Sequence, residues 1–268
     1  MSVIVNSAYL LTLQEAGSAN APIIGYENLV TIDNVSADSE DADFPATNLA
    51  NPATSNRWKS ASTAEQYVTA AIAEVDDVDY VGVARHNFAT AGIAVSVEGD
   101  DGGGFDELVS AAIPSDDGPL IFRFDPASYE SIRLKLAAGS VAPFAAAMYV
   151  GKLLVMQRNI YVGHTPIVDG REDRVVSGRS ENGNFLGRIT TGSSTSTEVS
   201  FQNLTAAWYR ANFRPFVTAS RNAPFFFGWR PGTYPAEVGY AWFTATPRPT
   251  NQRSNGMMQV DMQLGGVV

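Results

Sequence analysis

Two histidines, 28 carboxylates and no cysteine make up the reactive inventory of this 268-residue chain. His86 lies in Ala-Arg-His-Asn-Phe and His164 in Val-Gly-His-Thr-Pro. A hydrolytic triad would need a serine or threonine held beside one of them. The chain has no Gly-x-Ser-x-Gly elbow, no His-Glu-x-x-His pair and no glycine-rich phosphate loop ending in lysine. Both histidines therefore read as structural hydrogen-bonding groups, and no catalytic residue is expected. Without cysteine there is no disulfide, thiolate nucleophile or Cys-ligated metal. The carboxylates cluster twice: Glu74, Asp76, Asp77 and Asp79, then Asp100, Asp101, Asp106 and Glu107 around three glycines. Paired carboxylates cleave glycosides only where the fold sets them across a sugar, so clustering alone does not indicate one. A calcium ion would suit hard oxygens on a glycine-bearing loop, but EF-hand spacing is absent and a solvated hairpin tip is expected. No metal and no cofactor is assigned.

Charge is divided along the chain. Residues 1–150 hold 21 acids and 6 bases, a net of −15, whereas residues 151–268 hold 7 acids and 12 bases, a net of +5. Such opposite halves permit head-to-tail contact between copies. Fifteen of the 18 bases are arginine, which forms bidentate interface contacts better than lysine, although GC-rich coding gives the same bias. Scattered bases on an acidic total argue against a nucleic-acid reader. The N-terminus lacks the basic region of a signal peptide and no apolar run is long enough to span a bilayer, so cytoplasmic synthesis without membrane insertion is expected.

Short apolar or alternating runs punctuated by Gly, Pro, Asp and Ser predict a mainly β protein of sandwich type. Strands are expected near 67–75, 80–84, 93–98, 120–124 and 131–136. In the last, Ile132, Leu134 and Leu136 face one way and Arg133 and Lys135 the other. Phe144–Gln157 closes this first unit. Residues 163–200 are rich in Gly, Ser, Thr and Arg and read as an interface-forming segment. Asn203 or Thr205 would cap a helix reaching about Phe213, stopped by Pro215. Phe225–Trp229, Val238–Ala245 and the alternating Met258–Leu264 read as strands. The three consecutive phenylalanines cannot share one strand face, so at least one must meet a helix, a second sheet or another subunit.

The segment Phe-Pro-Ala-Thr-Asn-Leu (44–49), Asn-Pro-Ala-Thr-Ser-Asn-Arg-Trp-Lys-Ser (51–60), Asp-Tyr-Val-Gly-Val-Ala-Arg-His-Asn-Phe (79–88) and Ile-Ala-Val-Ser-Val-Glu (93–98) resembles the discoidin-like (coagulation-factor type C) β-sandwich, in the variant of bacteriophage tail proteins. In that family, loops at one end bind sugars or lipid head groups. The resemblance implies a glycan contact at Asn56, Arg57 and Trp58. Trp58 would be either a sugar platform or a plug closing the sandwich bottom; the plug is preferred, and an amphipathic indole suits both. Phe201-Gln-Asn-Leu-Thr-Ala-Ala-Trp-Tyr, Ala223-Pro-Phe-Phe-Phe-Gly-Trp-Arg-Pro, Val238-Gly-Tyr-Ala-Trp-Phe and the final alternating strand look similar to the β domain with one helix of phage baseplate and distal-tail proteins.

The expected organisation is an N-terminal arm (1–20), a discoidin-like sandwich (21–157), an extended linker or interface segment (158–200) and a C-terminal β domain with one short helix (201–268): two β-sandwich-like domains. The resemblance implies a non-enzymatic structural component of a phage tail tip or baseplate, a ring-forming homo-oligomer with other tail proteins, located in the virion tail. Arg171, Arg174, Phe225, Phe226, Phe227 and Trp229 are its expected assembly interface. The alternative is a carbohydrate-binding module that attaches to a cell-surface glycan.

Overall fold

The computed structural model describes residues 2–72, 77–252, 254 and 256–267. Its strands form three sheets. The elements run β1 (Val3–Val5), α1 (Ser7–Glu15), β2 (Ile23–Gly25), β3 (Val35–Ala37), β4 (Trp58–Lys59), β5 (Gln66–Ala71), β6 (Val78–His86), β7 (Val95–Asp100), β8 (Phe105–Ala112), β9 (Leu120–Ala127), β10 (Ser131–Leu136), β11 (Phe144–Gly151) and β12 (Leu154–Val155). Then follow β13 (Arg171–Arg179), β14 (Phe185–Leu204), helix α2 (206–219), β15 (Phe225–Gly228), β16 (Val238–Asn251) and β17 (Met258–Val267). Sheet I has the order β1-β9-β6-β11-β4, sheet II β3-β5-β10-β7-β8, and sheet III β12-β2-β15-β16-β17-β14-β13. Among the described residues, no helix is long and apolar enough to cross a membrane.

Sheets I and II form the N-terminal sandwich. Its core takes Val81 and Val83 from β6 and Phe122 and Phe124 from β9, opposed by Val95 and Val97 from β7 and Ile132, Leu134 and Leu136 from β10. The alternation expected at 131–136 is present, since sheet II buries one face only. Sheet I is covered on both faces. β11 accordingly reads Phe-Ala-Ala-Ala-Met-Tyr-Val-Gly with no wet face, and seven of its eight residues are buried. Its second face carries Tyr80, Ala84, Ala147 and Tyr149, packed against Phe226, Val238 and Tyr240 of sheet III. On its far face, sheet III buries Phe225, Phe227, Val260 and Met262 against Phe213 and Phe216 of α2. The order of layers is sheet II, sheet I, sheet III, helix.

Several expectations change. Residues 1–20 are not only an arm. β1 pairs in parallel with β9, and the apolar run Tyr9–Leu13 lies in helix α1. The Asn6 side chain caps that helix by accepting from the Ala8 and Tyr9 amides, at 3.0 and 3.1 Å. Ile23–Gly25 crosses to sheet III, so the chain builds part of the C-terminal sheet before the sandwich. Residues 158–200 contain β13 and most of β14, an antiparallel ribbon. Thr205 caps α2, but the helix passes Pro215 and ends at Ala219. A π turn over Tyr209–Phe213 precedes the proline and widens the hydrogen-bond ladder where its missing N–H falls.

The phenylalanine triad is divided between layers. Phe225 and Phe227 face α2, whereas Phe226 faces sheet I. All three are buried within one chain, which corrects their assignment to an assembly surface. A period-two strand between two covered faces has no outward side left for a subunit.

Candidate functional site

Trp58 closes the sandwich. It is wholly buried, and its indole N–H donates to the Ser39 carbonyl at 3.1 Å. No ring face remains for a sugar, so a glycan contact at Trp58 does not fit this geometry. Arg57 is half-buried, its guanidinium stacked between the rings of Phe44 and Phe144, with centroids at 4.9 and 4.7 Å. Asn56 is exposed on the loop that ends there. The three residues thus diverge into solvent, an aromatic clamp and the core.

The loop carrying them is nonetheless fixed in place. The Asn51 side chain accepts from the Ala53 amide at 2.9 Å, an Asx turn. Asn48 donates to the Arg57 carbonyl at 2.8 Å. Arg85, a non-glycine residue with φ of +51°, donates to the Thr54 carbonyl. From sheet III, the Tyr240 hydroxyl donates to the Pro52 carbonyl at 2.8 Å. Loop 51–57 is therefore tied to both the sandwich and the C-terminal sheet.

Between that loop, β16 and the turn after α2 lies a cleft of about 510 Å³, lined by Pro52, Thr54, Arg221, Asn222, Tyr240 and Trp242 among others. Its size is that of a small-molecule site. Trp242 is 43% exposed, although Tyr240 and Ala241 beside it are buried. Its partner across the sheet is Gly265, and a β-carbon there would stand 3.0 Å from the indole Nε1. The missing side chain lets the indole lie close to the sheet. Arg221 and Asn222 are exposed at the rim. In the sequence, the position of Trp242 two residues after Tyr240, on the same strand face, gives no sign that sheet I ends before reaching it.

A second cavity of about 630 Å³ lies at the base of the β13–β14 ribbon and is lined by Asp169, Arg171, Glu172, Ser196, Glu198 and Gln263 among others. It has no aromatic ring. Arg171 there pairs with Asp173 at 3.0 Å and is exposed, as is Arg174. Trp229, expected at an interface, is half-buried; it stacks on Tyr234 with centroids 5.4 Å apart and donates to Glu237.

Neither histidine stands beside an activated nucleophile. The His86 Nδ1 accepts from the Phe88 amide at 3.2 Å, and the ring stacks on Phe88 at 4.5 Å. Burial pushes its pKa down to about 4, against the Asp117 charge and the Gly118 backbone, so the ring is neutral with its proton on Nε2. Asp117 lies 3.9 Å away, but its oxygens serve the Ala89 and Thr90 amides and the Thr90 hydroxyl. His164 meets the Glu198 carbonyl at 3.2 Å; burial lowers its pKa. Thr197 Oγ1 is 3.5 Å from that ring but donates to the Thr165 carbonyl. The acidic loop 100–104 satisfies its own backbone: Asp100 accepts from the Gly102 and Gly104 amides and Asp101 from that of Gly103. Glu74 and Asp76 of the other acidic cluster lie outside the described residues. Among the described residues, no group of three His, Asp or Glu side chains is arranged to hold a metal ion.

No protein-family model matches the chain, and no curated protein sequence matches it. Solved structures do match part of it. A chitosan-binding module of a chitosanase/glucanase from Paenibacillus sp. IK-5 is 17% identical, with a TM-score of 0.41, covering 46% of this chain and 98% of the module. A CBM32 module from Clostridium perfringens, in complex with GalNAc-β-1,3-galactose, is 16% identical with a TM-score of 0.39, covering 44% and 93%. A fucose-binding module of Streptococcus pneumoniae is 12% identical with a TM-score of 0.41, covering 47% and 94%. The chain is similar over a little under half its length to carbohydrate-binding modules, at identities that transfer no residue roles.

Proposed function

We propose that the chain is a carbohydrate-binding protein whose sugar seat is the cleft between loop 51–57 and sheet III. The observation that carries this reading is Trp242, a half-exposed indole held over Gly265 at the mouth of a cavity of ligand size. An indole face packs against the C–H face of a pyranose, and flanking planar polar groups take its hydroxyls. Arg221 and Asn222 supply such groups on one wall, and the backbone of Pro52–Thr54 lies on the other. The test is a glycan array followed by calorimetric titration of the best binder. Trp242→Ala should abolish binding and leave the melting temperature within a degree or two. Unchanged affinity in that variant would overturn the assignment.

A second reading is favoured by a different feature. The β13–β14 ribbon exposes Val176, Phe185, Leu186 and Ile189, and none of them belongs to a core cluster among the described residues. Exposed apolar side chains of this kind mark surfaces that meet another protein. This supports a structural role in a phage tail tip or baseplate ring, with the protein synthesised in the host cytoplasm and resident in the virion. Sugar binding and such a role are compatible in one chain. Mass spectrometry of purified virions, with negative-stain imaging of the isolated protein, tests it; absence of the chain from particles would reject it.

A further inference from the structure

We propose that the β13–β14 ribbon of one copy docks on the acidic end of the sandwich of a second copy. The inference rests on the assembly reading above and names its surfaces.

Among the described residues, β14 pairs with β17 within 195–204, and residues 185–194 pair only with β13. The outer half of the hairpin is therefore a two-stranded ribbon beyond the sheet. Such ribbons are marginal in water, and their open edges invite pairing. Here the marginal element is also apolar. Phe185, Leu186 and Ile189 are 67, 68 and 70% exposed, and Val176, opposite Ile189, is 60% exposed. The glycines Gly178 and Gly187 face each other, which keeps the surface flat, and Leu186 lies against Gly178.

Charge identifies the occupant. Arg174, Arg179 and Arg188 are exposed on the ribbon, and among the described residues none of them forms an ion pair. The complementary surface is on the same chain. At the end of the sandwich formed by the β7–β8 turn and the β9–β10 turn, Asp101, Asp106 and Asp125 gather around Tyr129 closely enough for their charges to raise its pKa, behind the larger effect of burial. Glu130 lies beside Gly102 of that turn. All four acids are exposed, and none has a basic partner among the described residues. Two different patches meeting head to tail make a heterologous contact, which closes into a ring when the rotation allows. Apolar burial supplies cohesion and the arginines set register.

Sedimentation velocity of the full chain across a concentration series tests this. The wild type should self-associate. Arg174→Glu with Arg179→Glu and Arg188→Glu should weaken association at least about a hundredfold, as like-charge juxtaposition does. Asp101→Lys with Asp106→Lys and Asp125→Lys should do the same. Mixing the two reversed proteins should restore a mixed complex. None of these side chains lies in a core cluster, so circular dichroism and melting should stay those of the wild type. Association that survives both reversals, or mixing that restores nothing, overturns the docking but leaves assembly standing. A wild type that stays monomeric at every concentration overturns the assembly reading and the docking with it.

Discussion

Phe226 of sheet III occupies the space that a side chain at position 82 of sheet I would need: a β-carbon on Gly82 would lie 2.5 Å from the phenyl ring. The contact is reciprocal. Tyr80, two residues earlier on β6, covers Gly25 of sheet III, where a β-carbon would lie 2.6 Å from its ring. Each sheet thus sets a ring into a glycine notch of the other. The Tyr80 hydroxyl then donates to the Glu27 carbonyl, and the Tyr149 hydroxyl to that of Pro224 at 3.1 Å. The two halves of the chain are joined through a buried, shape-specific layer.

Gly82→Ala should therefore cost about 1–3 kcal/mol, the usual range for overpacking. Adding Phe226→Leu should recover part of that loss. Urea denaturation of the two single variants and the double variant gives the coupling directly. Additive effects would show that the ring does not fill the notch in solution.

Trp58→Ala should cost about 3–5 kcal/mol, as large aromatic truncations in cores do. Thermal melts measure it. Glycan affinity, extrapolated to fully folded protein, should be unchanged. An unchanged melting temperature would contradict the burial of this ring.

Two buried titrating groups should oppose each other between pH 4 and 6. Burial raises the Asp79 carboxyl from 3.8 to about 6, partly countered by the Leu153 amide, Arg123 and Lys152, while Glu27 adds to the rise. Its contribution to stability is complete below pH 3.8 and lost as pH rises through about 6. Burial lowers His86 from 6.5 to about 4 against the pull of Asp117 and Asp116. Its contribution is complete above pH 6.5 and lost as pH falls through about 4. Each shift corresponds to roughly 3 kcal/mol, so the wild type should change little across the window. Asp79→Asn keeps an acceptor for the Leu153 amide, so it should be more stable than wild type at pH 7 and lose stability on acidification. His86→Asn should gain stability over the same range. Parallel pH profiles for all three proteins would refute this.

Thr205→Ala should cost about 1 kcal/mol by removing the cap on the Trp208 amide. It also removes the acceptor for the Gln157 side chain, 3.2 Å away. Thermal unfolding should show the loss, with helix α2 exchanging its first-turn amides faster than in the wild type.

The sequence was most legible where one face of a strand is wet. Ile132–Leu134–Leu136 and Met258–Val260–Met262–Leu264 alternate because sheet II and this part of sheet III each meet solvent or polar neighbours on the other side. Of the two caps the sequence offers, Asn203 and Thr205, the structure uses Thr205, whose side chain accepts from the Trp208 amide. The Tyr9–Leu13 run was not legible as a helix, since a short apolar stretch has no period of its own; the Asn6 cap starts the helix and Tyr9 lies against Arg123 of β9.

By itself, the sequence determined the mainly β class, the lack of thiol chemistry and the opposite charges of the two halves, because these follow from residue type and short-range spacing. The tertiary structure decided which aromatic is available. Trp58 and Trp242 are the same residue type on β-strands, yet one is wholly buried between sheets I and II and the other stands half-exposed where sheet I no longer covers sheet III. The phenylalanine triad was divided in the same way, by layers drawn from distant parts of the chain. The physical reason is that exposure depends on where one sheet ends over another, and no local spacing in the chain encodes that edge.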